Sequence, residues 1–271
     1  MDAAVRAELA AAYLVSAERR DRFEADGFIH LPGVLSHAVL AHFTPLIYAV
    51  VEEYGRAQPD LAERNTYGQA FLQIGQLWRR DERIAPLCLA PRLGRIAADL
   101  MGVAGTRMYH DQALFKEPGG GFTPWHADQH YWPLGNDNTI TAWIPLQDTP
   151  VEMGPLSFCR GSHRIHRHRD LSISDESEQR IGRTLKDYPV VETAFELGDV
   201  SFHRGWVFHR AGPNNTDRMR GVMTIIMMED GIRKRSVRPS HASEAEHFLP
   251  GVGEGEVVAT HLNPVIFSHR A

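Results

Sequence analysis

The chain changes character near residue 105. Before it, apolar residues recur at helical spacing; after it, short apolar and β-branched runs alternate with Gly, Pro and Asn. Ser16 is placed to cap a helix through Glu24 that Gly27 stops, with Phe28–Leu31 extended beyond it. Ser36 opens a second helix, in which Val39, Phe43, Leu46, Ile47 and Val50 make one apolar stripe and Pro45 predicts a kink. A third begins at Pro91, suited to a first turn, and carries Leu93, Ile96 and Leu100 to Gly102. These helices predict a layer over the outer face of a sheet, around one short strand.

From there on the pattern predicts strands over 107–116, 122–131, 139–147, 156–160, 190–196, 200–209 and 220–229. That set suits a mainly β fold with flanking helices: a double-stranded β-helix, the jelly-roll or cupin-like barrel whose mouth can hold a metal. No internal repeat is visible. At 271 residues and 43 % hydrophobic, one core is enough. A single domain over 1–271 is expected, with a helical part to about 104, a barrel over about 105–230 and a C-terminal segment over 231–271. The polar stretch 164–189 is long for a structureless connection; it predicts a short helix after Ser174 and reads as a lid over the barrel mouth.

Candidate chemistry starts at Pro124-Trp125-His126-Ala127-Asp128. Residues i and i+2 of an extended segment project to one side, so His126 and Asp128 can grip one metal while Ala127 points away. A third ligand must come from a facing strand, and His209 is the candidate. Two imidazoles and a carboxylate bind ferrous iron on one face and leave positions open for a co-substrate and O2. Among 15 histidines an H-x-D pair alone is a weak signal. The segment Gly198 to Arg220 strengthens it, because its Gly-Pro-Asn-Asn cluster reads as a tight turn. A hairpin symmetric about Asn214 and Asn215 sets Arg220 opposite His209, where a guanidinium could hold a carboxylate bidentately; Arg218, nearer the turn, is the second choice.

Other histidines compete. His130 shares a face with His126 and Asp128, but four residues along a strand carry it about 13 Å away; it is expected at substrate or at the rim. His203 lacks the turn and arginine that follow His209 and is expected to be structural. His163, His166 and His168 read as a solvated loop. Trp125, Trp132, Trp143 and Trp206 suit a core as well as a pocket, and Met223, Met227 and Met228 suit core filling.

At this point the chain resembles a known family. Pro124-Trp125-His126-x-Asp128-x-His130-Tyr131-Trp132-Pro133, Gly154-Pro155-Leu156 followed by Gly161-Ser162-His163, and His209-x-x-Gly212-Pro213-Asn214 with Arg220 look like the phytanoyl-CoA dioxygenase family of iron(II)/2-oxoglutarate oxygenases. Asp26-Gly27-Phe28-Ile29 and Pro32-Gly33-Val34-Leu35-Ser36 are similar to that family's start, so the resemblance runs from about residue 20 to about 230. It implies that His126, Asp128 and His209 hold Fe(II) and that Arg220 pairs with the distal carboxylate of 2-oxoglutarate. It also implies that Trp143, Met108 and Gln112 line the co-substrate pocket. The reaction implied consumes O2 and 2-oxoglutarate, releases succinate and CO2, and takes a hydrogen atom from a small organic substrate. Family-like halogenases replace the carboxylate by Gly or Ala, so the intact Asp128 predicts hydroxylation or a related tailoring oxidation. Two departures stand out. Ala127 replaces the family's usual glutamine, and Ala211 stands where a serine often helps bind the co-substrate, a loss of one hydrogen bond, about 1 kcal/mol.

Composition narrows the partners. Net charge is −5 and no Lys/Arg block marks a nucleic-acid or acidic-lipid surface. Cys88 and Cys159 are too few for a disulfide framework and read as thiols of a cytoplasmic protein. Residues 1–12 carry Asp2, Arg6 and Glu8, unlike a signal peptide, and no apolar run reaches membrane-spanning length. The ending Ser268-His269-Arg270-Ala271 is not the peroxisomal tripeptide. Two other classes remain open: a zinc-dependent cupin-like hydrolase or isomerase on the same three ligands, and a non-catalytic metal-binding protein.

Overall fold

In the computed structural model, which describes residues 1–56, 59–238 and 241–270, two antiparallel sheets face each other and helices cover the outside of the larger one. The N-terminal part contributes α1 (Ala3–Ala10), α2 (Ala17–Asp26), β1 (Phe28–Leu31), α3 (His37–Gly55), α4 (Thr66–Ala70), β2 (Leu72–Gly75), α5 (Leu77–Arg80), α6 (Ala85–Cys88) and α7 (Pro91–Met101). β3 (Gly105–Phe115), β4 (Thr123–His126), β5 (Thr139–Pro145) and β6 (Leu156–Cys159) follow. After α8 (Asp175–Leu185) come β7 (Val190–Glu192), β8 (Val200–Arg204), β9 (His209–Ala211), β10 (Val222–Glu229), α9 (Ala242–Phe248) and β11 (Val265–Ser268). The major sheet runs β1-β8-β5-β10-β3-β11, with β2 also paired to β3, and the minor sheet β4-β9-β6-β7.

Local chemistry sets the helices. The Ser16 hydroxyl accepts from the Arg19 amide, and Gly27, at φ 82°, closes α2 through a bond to the Phe23 carbonyl. Ser36 caps α3 in the same way, and that helix runs through Pro45. Alternation then assigns the faces of the sheet. In β5, Ile140, Ala142 and Ile144 join the core beneath the helices, where Leu93, Ile96 and Leu100 of α7 are buried. Each of these leucine and isoleucine side chains contributes about 1.5–3 kcal/mol by leaving water. Thr139, Thr141 and Trp143, the other parity, are also buried, with Trp143 in a second cluster that joins the two sheets through Phe28, Leu156, Phe158 and Val222.

Several elements differ from the sequence reading. The strand expected over 122–131 stops at His126, and Asp128–His130 turn as a 3-10 helix. The expected 200–209 strand breaks after Arg204, where the Val207 amide donates to the Arg204 carbonyl, and β9 starts afresh in the other sheet. His209 and Arg220 therefore do not face each other in a hairpin: His209 pairs with His126 and Phe158, and Arg220 with Lys116. Asn214 organises the crossing, its side-chain amide donating to the carbonyls of Lys116 and Arg218. The C-terminal segment carries α9 and β11, neither of them anticipated; residues 239, 240 and Ala271 of the segment expected there lie outside the described residues.

Candidate metal centre

Three short elements bring the ligands together. Cα register sets His126 of β4 directly across from His209 of β9, with ring centroids 4.1 Å apart. Ala127 stays extended (φ −129°, ψ 127°), which carries Asp128 back to the side of His126 before the chain turns. One donor atom from each of the three residues lies within 4.8 Å of the other two. Asp128 Oδ1 is 3.6 Å from Nε2 of both His126 and His209.

Surrounding groups fix which atoms face inward. The Nδ1 of His126 is 2.8 Å from the Pro124 carbonyl, and that of His209 is 3.0 Å from the Val207 carbonyl. As donors there, both rings present the Nε2 lone pair to the shared point. Burial depresses both imidazoles to about 4, which keeps them neutral, as metal ligands must be. The far oxygen of Asp128 is held by the major sheet: Thr141 Oγ1 donates to Oδ2 at 3.1 Å, and His203 Nε2, from the paired position on β8, stands 3.2 Å away. Burial pushes the Asp128 carboxyl up, but the imidazoles of His209, His203 and His126 outweigh it and hold it well below the usual carboxylate range. The donor set, two neutral imidazoles and one carboxylate with all three far atoms occupied, fits a divalent iron-group ion on one face.

Arg220 supplies the second half of the site. The residue is 2 % exposed, and its guanidinium lies 5.7 Å over the Trp143 ring and donates to the Gly154 carbonyl at 2.5 Å. Its Nε has no partner, and no carboxylate among the described residues pairs with it. Burial lowers its pKa to about 9. A guanidinium buried without a counter-ion is costly, and the cavity it lines is where an anion can answer it. Gly154 must be glycine: its φ is +71°, and a Cβ there would meet the Gly212 carbonyl oxygen at 2.4 Å.

A family model of phytanoyl-CoA dioxygenases matches residues 23–222. The chain belongs to the phytanoyl-CoA dioxygenase family. It is 27 % identical to the non-haem alpha-ketoglutarate-dependent carbocyclase SnoK from nogalamycin biosynthesis, whose crystal structure superposes with a TM-score of 0.77 over 93 % of this chain and 96 % of that one. The ectoine dioxygenase of Stutzerimonas stutzeri is 20 % identical over 264 residues, 87 % of this chain and 86 % of that protein. A shorter stretch of 126 residues is 29 % identical to the Stutzerimonas stutzeri protein named "Probable alpha-ketoglutarate-dependent hypophosphite dioxygenase", and covers 44 % of each. This family member is a non-haem iron(II)/2-oxoglutarate-dependent dioxygenase with the jelly-roll fold.

Within the family site, a cavity of about 610 Å³ is lined by His126, Asp128, His209, Arg220, Trp143 and Gln112 together. Met108 is not there. A bulge between the pairs Met227–Met108 and Ile226–His110 reverses the alternation of β3, so Met108 joins Ala113 and Phe115 beneath the helices, while His110 and Gln112 face the cavity. Arg218 is exposed and does not line the cavity. His130 is also turned away, its ring nitrogens each 3.0 Å from the Arg169 carbonyl and the Ser172 hydroxyl. His163 is not in a solvated loop: its ring nitrogens are buried without partners, against Gly27. The stretch read as a lid packs on the barrel: Ile181 and Leu185 of α8 join Trp125 in one cluster, the Glu178 carboxylate accepts from the Trp125 amide, and Ile173 lines the cavity. Thr123, Thr141, His110, Glu244 and Phe248 also line it. Thr141 was legible by parity with Trp143; Glu244 and Phe248 lie on a helix that left no usable signal.

Proposed function

We propose that His126, Asp128 and His209 hold the ferrous ion, that Arg220 binds the distal carboxylate of 2-oxoglutarate, and that one domain spanning the chain performs the oxidation. The convergence of three donor atoms with a buried, unpaired guanidinium in one cavity carries the reading. A zinc hydrolase could use the three ligands but has no use for that arginine. When bound, iron and 2-oxoglutarate supply the oxidising power, drawn from O2 with release of succinate and CO2.

The chain's own residues position and exclude. The Pro124 and Val207 carbonyls fix the two imidazoles, and Thr141 with His203 holds Asp128 by Oδ2, leaving Oδ1 for the ion. Trp143 covers Arg220 and lowers the local dielectric, which strengthens its grip on a carboxylate. Thr123, paired with Ala211 across β4 and β9, offers a hydroxyl beside the position where the family often has serine, and Gln112 adds an amide. Because Asp128 is intact, the outcome is hydroxylation or another tailoring oxidation rather than halogenation, in the cytoplasm.

Calorimetric titration with Fe(II) under argon tests the assignment. Wild-type protein is expected to bind one ion, His126→Ala and His209→Ala none, and His203→Leu to bind 10- to 100-fold more weakly, the loss about typical of an outer hydrogen bond to a ligand. Unchanged binding in either alanine variant rejects the ligand set.

A further inference from the structure

The cavity continues past the triad to a wall formed by neither the three candidate ligands nor Arg220. Ile226 of β10 pairs with Thr141 on one side and His110 on the other, so His110 stands two strand spacings, about 10 Å, from the threonine that holds Asp128. Phe248 stacks on His110, with ring centroids 4.3 Å apart at 18°. Glu244 lies four residues earlier on α9, one turn away on the same face, and both line the cavity with Tyr131 and Trp132.

Glu244 is partly buried, and among the described residues it has no ion pair and no hydrogen bond. Burial raises its pKa, and its charge bears on the hydroxyls of Tyr109 and Tyr131. The cation that lines this cavity, Arg220, is at the co-substrate end. His110 is kept neutral by burial, and its Nδ1 has no partner. This end therefore combines an unanswered carboxylate with aromatic rings. A carboxylate partly withdrawn from water favours a cationic partner, and ring faces attract the same group.

Resting on the oxygenase reading above, we infer that the substrate is an organic ammonium compound whose cation binds between Glu244 and the rings of Tyr131, Trp132 and Phe248.

The test uses protein loaded anaerobically with Fe(II) and 2-oxoglutarate. Two probes of one shape are titrated by tryptophan fluorescence and calorimetry: (4-hydroxyphenyl)trimethylammonium and its uncharged counterpart 4-tert-butylphenol. The ammonium is expected to bind at least tenfold more tightly to wild type, and Glu244→Gln to reduce that ratio to near one while leaving the phenol's affinity within twofold. Equal affinities in wild type, a preference surviving in Glu244→Gln, or no binding of either probe overturns the inference. The visible band of the iron-chelated keto acid is read in the same samples. Its absence sinks the oxygenase assignment; its presence without an ammonium preference sinks this subsite alone.

Discussion

Arg220 is the residue whose energetics say most about the site. With no carboxylate beside it among the described residues, the buried guanidinium destabilises the ligand-free fold and is answered only by an anion in the cavity. Arg220→Met is therefore expected to raise the melting temperature of the ligand-free protein and to weaken 2-oxoglutarate binding by about 10- to 100-fold, the range for a hydrogen bond to a charged group. A fall in both stability and affinity would assign the arginine a structural role instead. The pair His126 and Asp128 was legible because extended geometry alone sends residues i and i+2 to one side, which holds although β4 ends at His126, and His209 reaches them from the paired strand β9. Arg220 lines the same cavity, but it arrives there opposite Lys116 and not through the symmetric hairpin with His209. Met108 was misplaced because a bulge, invisible in composition, reverses parity at one point of β3.

Among the elements, α8 stands where a helix is expected after Ser174, and packing ties it to the barrel. Only Ser177, Ile181 and Leu185 of its eleven residues are buried, and Glu178 ties it down by accepting from the Trp125 amide at 2.8 Å and Arg210 at 2.9 Å. Glu178→Gln is expected to cost about 1–3 kcal/mol and to speed amide exchange in α8 and β4 together; exchange that is unchanged in β4 would separate the helix from the metal-bearing strand. The helices capped by Ser16 and Ser36 were legible because their hydroxyls and apolar spacing act locally. β9 was not, since the apolar residues Val200, Phe202, Trp206, Val207 and Phe208 run on through the break, and the division between two sheets depends on the turn before Val207. α9 and β11 lean on contacts with distant strands that no local pattern encodes.

At the scale of the whole molecule, two buried basic side chains, Lys116 and Arg220, sit on paired positions at one end of the barrel. Burial, with Arg220 nearby, lowers Lys116 to about 6, whereas an unfolded lysine titrates at about 10.4. Between those values the unfolded chain binds a proton that the folded chain does not, so stability increases with pH. The ligand-free melting temperature should rise from pH 7 to 9, and Lys116→Met should flatten the rise; an equal slope in the variant would remove Lys116 from the account. The barrel itself was legible in its strand count, and its two facing sheets bring His126, Asp128, His209 and Arg220 into one cavity. Anaerobic titration with Fe(II) and then 2-oxoglutarate, followed by visible absorption, tests that convergence most directly. The account predicts a weak charge-transfer band that saturates at one 2-oxoglutarate per chain, is absent in His209→Ala and needs far more 2-oxoglutarate in Arg220→Met. A band that forms equally in all three proteins, or in none, contradicts it.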